Sequence, residues 1–175
     1  METDKLVLRK LDLRDESAFL KAVGLWDGAR GFQFASDYSP GMDFGDFLEF
    51  LRKRSSGIDL PPDRVPDTKM CAFMANEIVG RLSLRHTLND FLVKIGGHIG
   101  YGVLPHYRGR GFAKEMLRQA LPMAKGLGLD RVLVTCEDDN VGSYRVIEFC
   151  GGVLENRTEQ GEGKPLLRRY WIEIF

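Results

Sequence analysis

One segment of the sequence alternates between strand-like and helix-like patterns around a basic turn. "HIGYGVLP" has a short strand pattern that Pro105 ends, and "DRVLVTCE" has the composition of a buried strand. Between them, apolar residues recur with the spacing of one helix face, at 112, 113, 116, 117, 120, 121 and 124. The turn "HYRGRG" in front of this helix contains two arginines and two glycines. The segment therefore predicts a strand, a flexible cationic turn, a helix and a second strand.

The remaining patterns place this segment inside one α/β domain. "KLVLRKLDL" alternates like a strand, and Asp15 precedes a helix pattern in "ESAFLKAVGLW". "DFGDFLEFLRKRS" predicts a second helix, followed by a proline-containing loop at 57–68. A hairpin begins at Lys69 and turns at Asn76, and "NDFLVKIGG" follows as a connection. A short helix in "NVGSYRVIEFCGG" and a closing hairpin complete a single domain over residues 1–175.

Composition narrows the classes of function. The chain has 175 residues, of which 43% are hydrophobic, with 25 basic and 25 acidic residues. This length can bury a core, and the balanced charge gives no reason to expect attraction to nucleic acid or to a membrane. We see no signal peptide and no long apolar run, and the three cysteines have no zinc-binding spacing. The sequence predicts a cytoplasmic protein with reduced thiols and no metal.

The basic turn has the features of an anion-binding site. The first N–H groups of a helix lack partners within the helix, and the helix dipole is positive at that end. Gly109 and Gly111 allow the main chain to approach a ligand closely, and Arg108 and Arg110 add cationic donors. A diphosphate fits these groups better than a carboxylate does.

Two common diphosphate-binding patterns do not fit this turn. A Walker loop needs Gly-Lys followed by Ser or Thr, whereas Gly111 is followed by Phe112 and Ala113. A dinucleotide-binding loop needs a third glycine where this chain has Lys114. From the local sequence alone, a plain basic turn without a ligand remains an alternative.

A third pattern does match. "GVLPHYRGRGFA" resembles the coenzyme A loop of the GNAT superfamily of N-acetyltransferases, R/Q-x-x-G-x-G/A, with Arg108, Gly111 and Ala113 at its defining positions. "DDNVGSYRVIEFCGG" resembles a second feature of that family, in which Asn140 and Ser143 open a helix that ends in glycine. The order of elements is similar to the family's across nearly the whole chain. "RHTLND" and "RRYWIEIF" resemble a branch of uncharacterised bacterial predicted acetyltransferases.

The resemblance implies both a fold and an acyl donor. The fold is a single α/β (α+β) domain with a mixed sheet of about six to seven strands, splayed between its two middle strands and flanked by about four helices. The donor is acetyl-CoA, whose diphosphate would bind the amides of residues 109–114 and whose pantetheine arm would pair with the strand edge at 101–104. A main-chain N–H near Val103 would stabilise the oxyanion. The predicted cofactor-binding residues are Tyr101, Gly102, Val103, Leu104, Arg108, Gly109, Arg110, Gly111, Phe112, Ala113, Asn140 and Ser143.

The catalytic groups depart from the best-known pattern of the family. Many relatives place a tyrosine, as acid for the departing thiolate, where this chain has Ile147. Tyr144 lies three residues earlier on about the same helix face and is our candidate acid, with a packing role as the alternative. His98 titrates in a useful range and is our candidate base. Its alternative is a structural histidine bonded to a neighbouring loop.

These observations predict direct transfer of an acetyl group from acetyl-CoA to a primary amine. The alternative is a non-catalytic acyl-CoA sensor, which Ile147 favours. Candidate acceptors are a small amine, an antibiotic-like molecule, and a protein N-terminus or lysine. Acidic residues at 37, 43, 46, 49, 59, 63 and 67 favour a cationic acceptor, unless they form a solvated surface. The terminal strand could also supply an edge for a homodimer.

Overall fold

The computed structural model describes residues 5–175 and arranges their strands in one sheet. The strands are β1 (Val7–Arg9), β2 (Asp67–Met74), β3 (Glu77–Arg85), β4 (Ile99–Val103), β5 (Arg131–Glu137), β6 (Val153–Thr158) and β7 (Leu167–Glu173). The α-helices are α1 (Glu16–Leu25), α2 (Phe44–Ser55), α3 (Asp90–Lys94), α4 (Phe112–Gly126) and α5 (Val141–Phe149). Within residues 5–175, no helix is both long enough and apolar enough to cross a bilayer.

The sheet is mixed, with the strand order β1-β2-β3-β4-β5-β7-β6. Strands β1 to β4 pair in antiparallel fashion, β4 and β5 are parallel, and β5, β7 and β6 are antiparallel again. The connection between the two parallel strands is α4, since parallel neighbours need a crossover and a tight turn cannot join them. These findings confirm the predicted mixed sheet and the predicted single α+β domain.

Strands β4 and β5 part almost as soon as they meet. In the described part of the chain, Ile99 and Val134 are the single pair in register between them. Just before this pair, the main-chain N–H of His98 donates to the carbonyl of Leu133 at 2.7 Å. Beyond it the ladder stops, so main-chain groups of β4 that point toward β5 have no strand partner. The predicted splay between the two middle strands is confirmed.

The two faces of the sheet carry different cores. We call the side covered by α4 and α5 the aliphatic face, because its core is built mainly from Leu82, Val79, Met116, Leu117, Val132 and Ile147. We call the side covered by α1 and α2 the aromatic face, because Phe19, Phe34, Phe44, Phe47 and Phe73 fill it. Side chains alternate along a strand. Tyr101 and Val103 accordingly join the aliphatic face, whereas Leu104 joins the aromatic face.

Some local predictions differ from the structure. The segment "NDFLVKIGG", predicted as a connection, contains α3, which Asn89 caps by accepting the N–H of Leu92 at 2.9 Å. Five residues are too few to show helical periodicity in a sequence. Asp15, the predicted cap of α1, makes no cap bond to that helix; its carboxylate binds the Arg9 guanidinium at 2.6 and 2.8 Å and accepts the N–H of Asp12 at 2.8 Å. The ion pair with Arg9 on β1 takes the place of the predicted cap bond.

The joint between β4 and β5 gives a stability prediction. Gly97 has a φ of +59°, and a Cβ there would lie 2.3 Å from the carbonyl oxygen of Leu133. Gly97→Ala is therefore expected to lower the free energy of unfolding by roughly 2–4 kcal/mol, through backbone strain and overpacking. Equilibrium urea unfolding measures the change.

The matched control for this prediction is Gly126→Ala, at the end of α4. A Cβ at Gly126 would meet nothing within 4 Å, and its φ lies outside the left-handed region. This variant is expected to be neutral or stabilising by up to about 1 kcal/mol, because glycine is a poor helix former. Equal losses in both variants would contradict the close packing assigned to Gly97.

Candidate active site

The turn before α4 presents a run of unused main-chain donors. Gly109 has a φ of +75° and Gly111 a φ of +83°, conformations that glycine adopts without strain. The first helical hydrogen bond of α4 runs from the N–H of Glu115 to the carbonyl of Gly111 at 3.2 Å. The N–H groups of residues 109–114 make no hydrogen bond to an acceptor among residues 5–175. Consecutive free amides in such a turn form a concave anion site, to which the helix dipole adds positive potential.

The two arginines of the turn have different surroundings. Arg108 binds both carboxylate oxygens of Asp27 at 2.8 Å, and its Nε donates to the carbonyl of Val103 at 3.0 Å. The Arg108 guanidinium lowers the pKa of Asp27 to about 2. Arg108 thus ties the segment after α1 to the end of β4. Arg110 is exposed and lies near the Tyr107 ring, 5.8 Å from Cζ to the centroid. Its guanidinium has no carboxylate partner in the described residues.

At the end of β4, main-chain groups point into the gap between β4 and β5. The N–H of Leu104 donates to the Val79 carbonyl on β3 at 2.9 Å. The carbonyl of Val103 instead accepts the bond from Arg108, on the other side of the strand. Because the N–H and C=O of one strand residue point the same way, the N–H of Val103 faces the gap. This is the position expected for the oxyanion donor.

Three predicted cofactor-binding residues meet across the splay. The hydroxyl of Tyr101 on β4 lies 3.0 Å from the Oγ of Ser143 on α5. The side chain of Asn140 caps α5 by accepting the N–H of Ser143 at 3.2 Å. Burial raises the pKa of the Tyr101 phenol, which stays protonated. On the aliphatic face, a pair of hydroxyl groups thus joins β4 to α5.

The remaining predicted cofactor-binding residues lie along the same strand and helix. Phe112 and Ala113 are half-buried against the aliphatic core, so their main-chain amides, rather than their side chains, point outward. Gly102 is buried on the aromatic face, where a Cβ would come within 2.7 Å of the Phe32 ring and 2.9 Å of the Trp26 ring. Leu104 is also buried there, with 1% of its surface exposed.

His98 is held inside the joint between β4 and β5. Its Nδ1 accepts the main-chain N–H of Leu133 at 2.9 Å, and the side chain is 6% exposed. An acceptor at Nδ1 places the proton of the neutral ring on Nε2. Burial lowers the pKa of His98 to about 4. A catalytic role for His98 stays a prediction, and these contacts favour the structural alternative.

Tyr144 and Ile147 lie on the inner side of α5. Ile147 is fully buried in the aliphatic core. Tyr144 is half-buried, and the guanidinium of Arg168 lies 4.0 Å from its ring centroid. Arg168 in turn binds Asp138 at 2.5 Å. The acid role of Tyr144 stays a prediction, and its contacts fit the packing alternative.

The structure adds an ion-pair cluster that the sequence patterns missed. Arg30, with a φ of +56°, donates to Glu137 at 2.9 Å and to Asp139 at 2.6 Å. The segment after α1 therefore crosses the aromatic face of the splay and reaches the end of β5. The acidic run "EDDN" after a buried strand was the available signal, but its partner lies 107 residues away. A groove of about 420 Å³ between α2 and β2 is lined by Leu48, Ser55 and Thr68 rather than by predicted site residues.

The burial of His98 gives a pH prediction. The unfolded state takes up a proton near pH 6.5, whereas the folded state does so only near pH 4. Stability is therefore complete above about pH 6.5 and falls as the pH drops toward 4. The paired carboxylates Asp12, Asp27 and Glu115 have pKa values of about 2, so they contribute little in this window.

His98→Asn keeps an acceptor near the Nδ1 position but does not titrate. Urea midpoints of both proteins at pH 7.5 and pH 5 are the measurement. The wild type is expected to lose more stability than the variant over this interval. Parallel losses would show that His98 is not held in its neutral form.

Comparisons with known proteins identify the family and the fold. Residues 5–153 match the family profile described as an acetyltransferase (GNAT) domain. A comparison with proteins of curated function gives no match.

Solved structures share the fold over nearly the whole chain. The yncA protein of Salmonella typhimurium, solved with its cofactor acetyl-CoA, has a TM-score of 0.66 at 15% identity, covering 97% of this chain and 94% of its own. A GNAT-family acetyltransferase of Streptococcus pneumoniae has a TM-score of 0.66 at 18% identity, covering 98% and 100%. A spermidine N-acetyltransferase of Vibrio cholerae, solved with CoA and spermine, has a TM-score of 0.64 at 19% identity, covering 97% and 95%. At such identities the likeness shows the fold alone. The family profile, in contrast, covers most of the sequence, and the chain belongs to the GNAT acetyltransferase family.

Proposed function

We propose that the protein transfers an acetyl group from acetyl-CoA directly to a primary amine. The observation that carries this proposal is the run of free amides at 109–114, placed at the mouth of the gap between β4 and β5. Six consecutive donors at a helix N-terminus suit a diphosphate, which coenzyme A carries. Arg110, which has no carboxylate partner in the described residues, adds a cation beside them.

The parted strands supply the rest of the donor site. The edge of β4 from Tyr101 to Leu104 has main-chain groups that a pantetheine amide can pair with, as an added strand would. The N–H of Val103 points into the same gap and serves as the donor to the oxyanion of the tetrahedral intermediate. In this step the amine nitrogen bonds to the acetyl carbon, and the carbon–sulfur bond then breaks.

The amine reaches the thioester from the aromatic face, opposite the helices that hold the donor. Gly100 and Gly102 carry no side chain there; the rings of Phe32 and Trp26 pack on Gly102, whereas a Cβ at Gly100 would meet no heavy atom closer than 3.9 Å. Glu137 and Asp139 lie at the end of β5, where both are paired with Arg30. The amine must lose a proton before attack, directly or through water. His98 is the base that the sequence predicts, and the His98→Asn variant tests it. Loss of a general base lowers kcat by about a hundredfold or more, whereas the structural role, in which Nδ1 accepts the Leu133 N–H, predicts a much smaller change in kcat.

Direct attack needs no acyl-enzyme, and the cysteines support that choice. Cys136 is the cysteine nearest the splay, and burial raises the pKa of its thiol to about 11. Burial also raises the pKa of Cys71 to about 11. Thiols held in this protonated form are poor nucleophiles at neutral pH.

The phenol of Tyr101 takes the place of the missing tyrosine on α5. It lies on the aliphatic face at the splay, and its bond to Ser143 orients the hydroxyl. Because its pKa is raised, it keeps its proton for the departing thiolate. The ring of Tyr144, our candidate from the sequence, packs against the guanidinium of Arg168, which favours its packing role.

The second candidate function is a non-catalytic acyl-CoA sensor. The fully buried Ile147 favours it, because the residue at the family's tyrosine position cannot donate a proton. Coenzyme binding without turnover on any amine would support the sensor.

Coenzyme binding gives the first test of the donor site. Arg110→Glu reverses a charge beside the free amides and is expected to weaken coenzyme A binding by about tenfold to a hundredfold. Lys164→Glu, an exposed charge reversal in the turn between β6 and β7, is the control and should leave the affinity unchanged. Isothermal titration calorimetry measures both. No saturation of the wild type at millimolar coenzyme A would end the proposal.

Turnover gives the second test. Release of free thiol from acetyl-CoA is followed across a panel of primary amines with the wild type and with Tyr101→Phe. Loss of the phenol is expected to lower kcat by about tenfold to a hundredfold, with coenzyme affinity within about threefold of the wild type. Tyr144→Phe is the comparison variant and should retain most of the activity. The opposite ranking would return the acid role to Tyr144.

A further inference from the structure

Strand β2 extends beyond its partner β1 at the edge of the sheet. Strand β1 pairs with β2 only over Val7–Arg9, and the last pair in register is Arg9 with Cys71. Strand β2 itself begins earlier, at Asp67. After Arg9 the chain leaves β2 for a turn, in which the Asp15 carboxylate binds the Arg9 guanidinium. Among residues 5–175, the first half of β2 therefore has no neighbouring strand on this side.

The main-chain groups of Lys69 point to this open side. The N–H of His86 donates to the Pro66 carbonyl at 2.9 Å, so the main-chain groups of residue 66 face β3. Successive residues of a strand point these groups in opposite directions, so residues 67 and 69 face away from β3. The N–H and C=O of Lys69 have no hydrogen-bond partner among residues 5–175. One donor and one acceptor of a strand edge are therefore available to a ligand.

The groove of about 420 Å³ between α2 and β2 lies against this edge, and Lys69 is one of its lining residues. Its α2 wall is a single stripe of the helix, formed at spacings of three and four residues by Gly45, Leu48, Arg52 and Ser55. A stripe of this span is about 15 Å long. An extended chain of about five residues covers the same length. The groove therefore has the length of a short peptide strand.

Apolar side chains make up much of the groove wall. Leu13 lines the groove and has 69% of its surface exposed, so a ligand there would remove apolar surface from water. The other leucines of the groove are Leu11, Leu48 and Leu51. The hydroxyls of Ser55 and Thr68 lie 2.8 Å apart and are bonded to each other. The groove therefore offers apolar contacts along its walls, and its free main-chain pair lies at Lys69.

The charge that remains unpaired in the groove is positive. The guanidinium of Arg52 binds both oxygens of Glu49 at 2.7 Å. The ammonium group of Lys69 binds Asp37. Lys10, which also lines the groove, is exposed and forms no ion pair within residues 5–175. Lys10 therefore favours a ligand that carries a carboxylate.

We propose that this groove binds an extended peptide segment of alternating apolar and acidic residues, which adds to β2 as a short strand. One peptide residue pairs its N–H and C=O with those of Lys69, apolar side chains pack on the leucines, and an acidic side chain binds Lys10. An alkyl carboxylate could also use the leucines and Lys10, but it has no donor for the Lys69 carbonyl. This inference goes beyond the proposed acetyl transfer and does not depend on it.

A designed peptide tests the groove directly. The probe is Leu-Glu-Leu-Glu-Leu with fluorescein on its N-terminus and an amidated C-terminus, so it carries no amine that could be acetylated. When extended, it has leucines on one face and glutamates on the other. Fluorescence anisotropy is expected to show saturable binding to the wild type, and Leu-Gln-Leu-Gln-Leu should bind about threefold to tenfold more weakly. No saturation at millimolar protein, or equal affinity of the two peptides, would overturn the inference.

Backbone methylation tests the strand pairing. Paired residues of neighbouring strands point to the same face, so a residue opposite Lys69 points its side chain toward α2 and is a leucine of the probe. N-methylation of the leucines removes the donors to β2 and is expected to weaken binding by about tenfold or more. N-methylation of the glutamates, whose N–H groups point away from β2, is the matched control and should change affinity by less than about threefold. Equal losses in the two methylated peptides would overturn strand addition.

Variants of exposed side chains assign the binding to this groove. Lys10→Glu and Leu13→Asp are each expected to weaken binding of the glutamate peptide by about threefold to tenfold. Lys164→Glu and Leu166→Asp make the same changes in the exposed turn before β7, at the opposite edge of the sheet, and should bind like the wild type. Urea midpoints check that all four variants remain folded. Wild-type affinity in both groove variants would overturn the inference.

Calorimetric titration with dodecanoate tests the other occupant. Saturable binding of dodecanoate without binding of either peptide would overturn the peptide site and assign the groove to alkyl carboxylates. Peptide binding that dodecanoate does not displace supports the peptide site. None of these measurements uses acetyl-CoA, so failure of the proposed transfer would leave their outcome unchanged.

Discussion

His98 and Leu133 form two hydrogen bonds that fasten β4 to β5 at a single point. The main-chain N–H of His98 donates to the Leu133 carbonyl at 2.7 Å, and the Leu133 N–H donates to the imidazole at 2.9 Å. The carbonyl of His98 bonds to the N–H of Arg85 on β3 instead. These bonds precede the single pair in register, Ile99 with Val134, and no further pair follows it in the described residues. The gap that follows is the space around which the site is built.

The two faces of this gap differ in chemistry because different elements cover them. The aliphatic face is covered by α4 and α5, whose N-termini lie at the same end of the sheet as the gap. Helix N-termini favour anions, which suits a diphosphate carrier. The aromatic face is covered by α1, α2 and the chain between them, which enclose a charged layer rather than a helix terminus. In the proposed reaction, the donor and the acceptor lie on opposite faces of the sheet and meet only where β4 and β5 part.

Arg108 illustrates how far local sequence can predict a contact. The motif placed it at a ligand-binding position, and the turn around it has the expected free amides. Its side chain nevertheless binds Asp27, which is 81 residues away in the chain. An arginine has five donors and takes the carboxylate that folding brings within reach. The same reasoning applies to Arg30, whose partners Glu137 and Asp139 belong to a different part of the sheet.

By itself, the sequence determined the order of the strands and of every helix except α3, the glycines before α4 and the free amides that they expose. These features depend on residues within a few positions of one another, where glycine, proline and apolar spacing act directly on the backbone. Only the tertiary structure decided three contacts. The His98 imidazole accepts the N–H of Leu133 between β4 and β5, the Tyr101 hydroxyl lies beside that of Ser143, and Arg81 has no carboxylate partner in the described residues. Those outcomes depend on which distant side chains the sheet register brings together, and on how burial removes the water that would otherwise satisfy them.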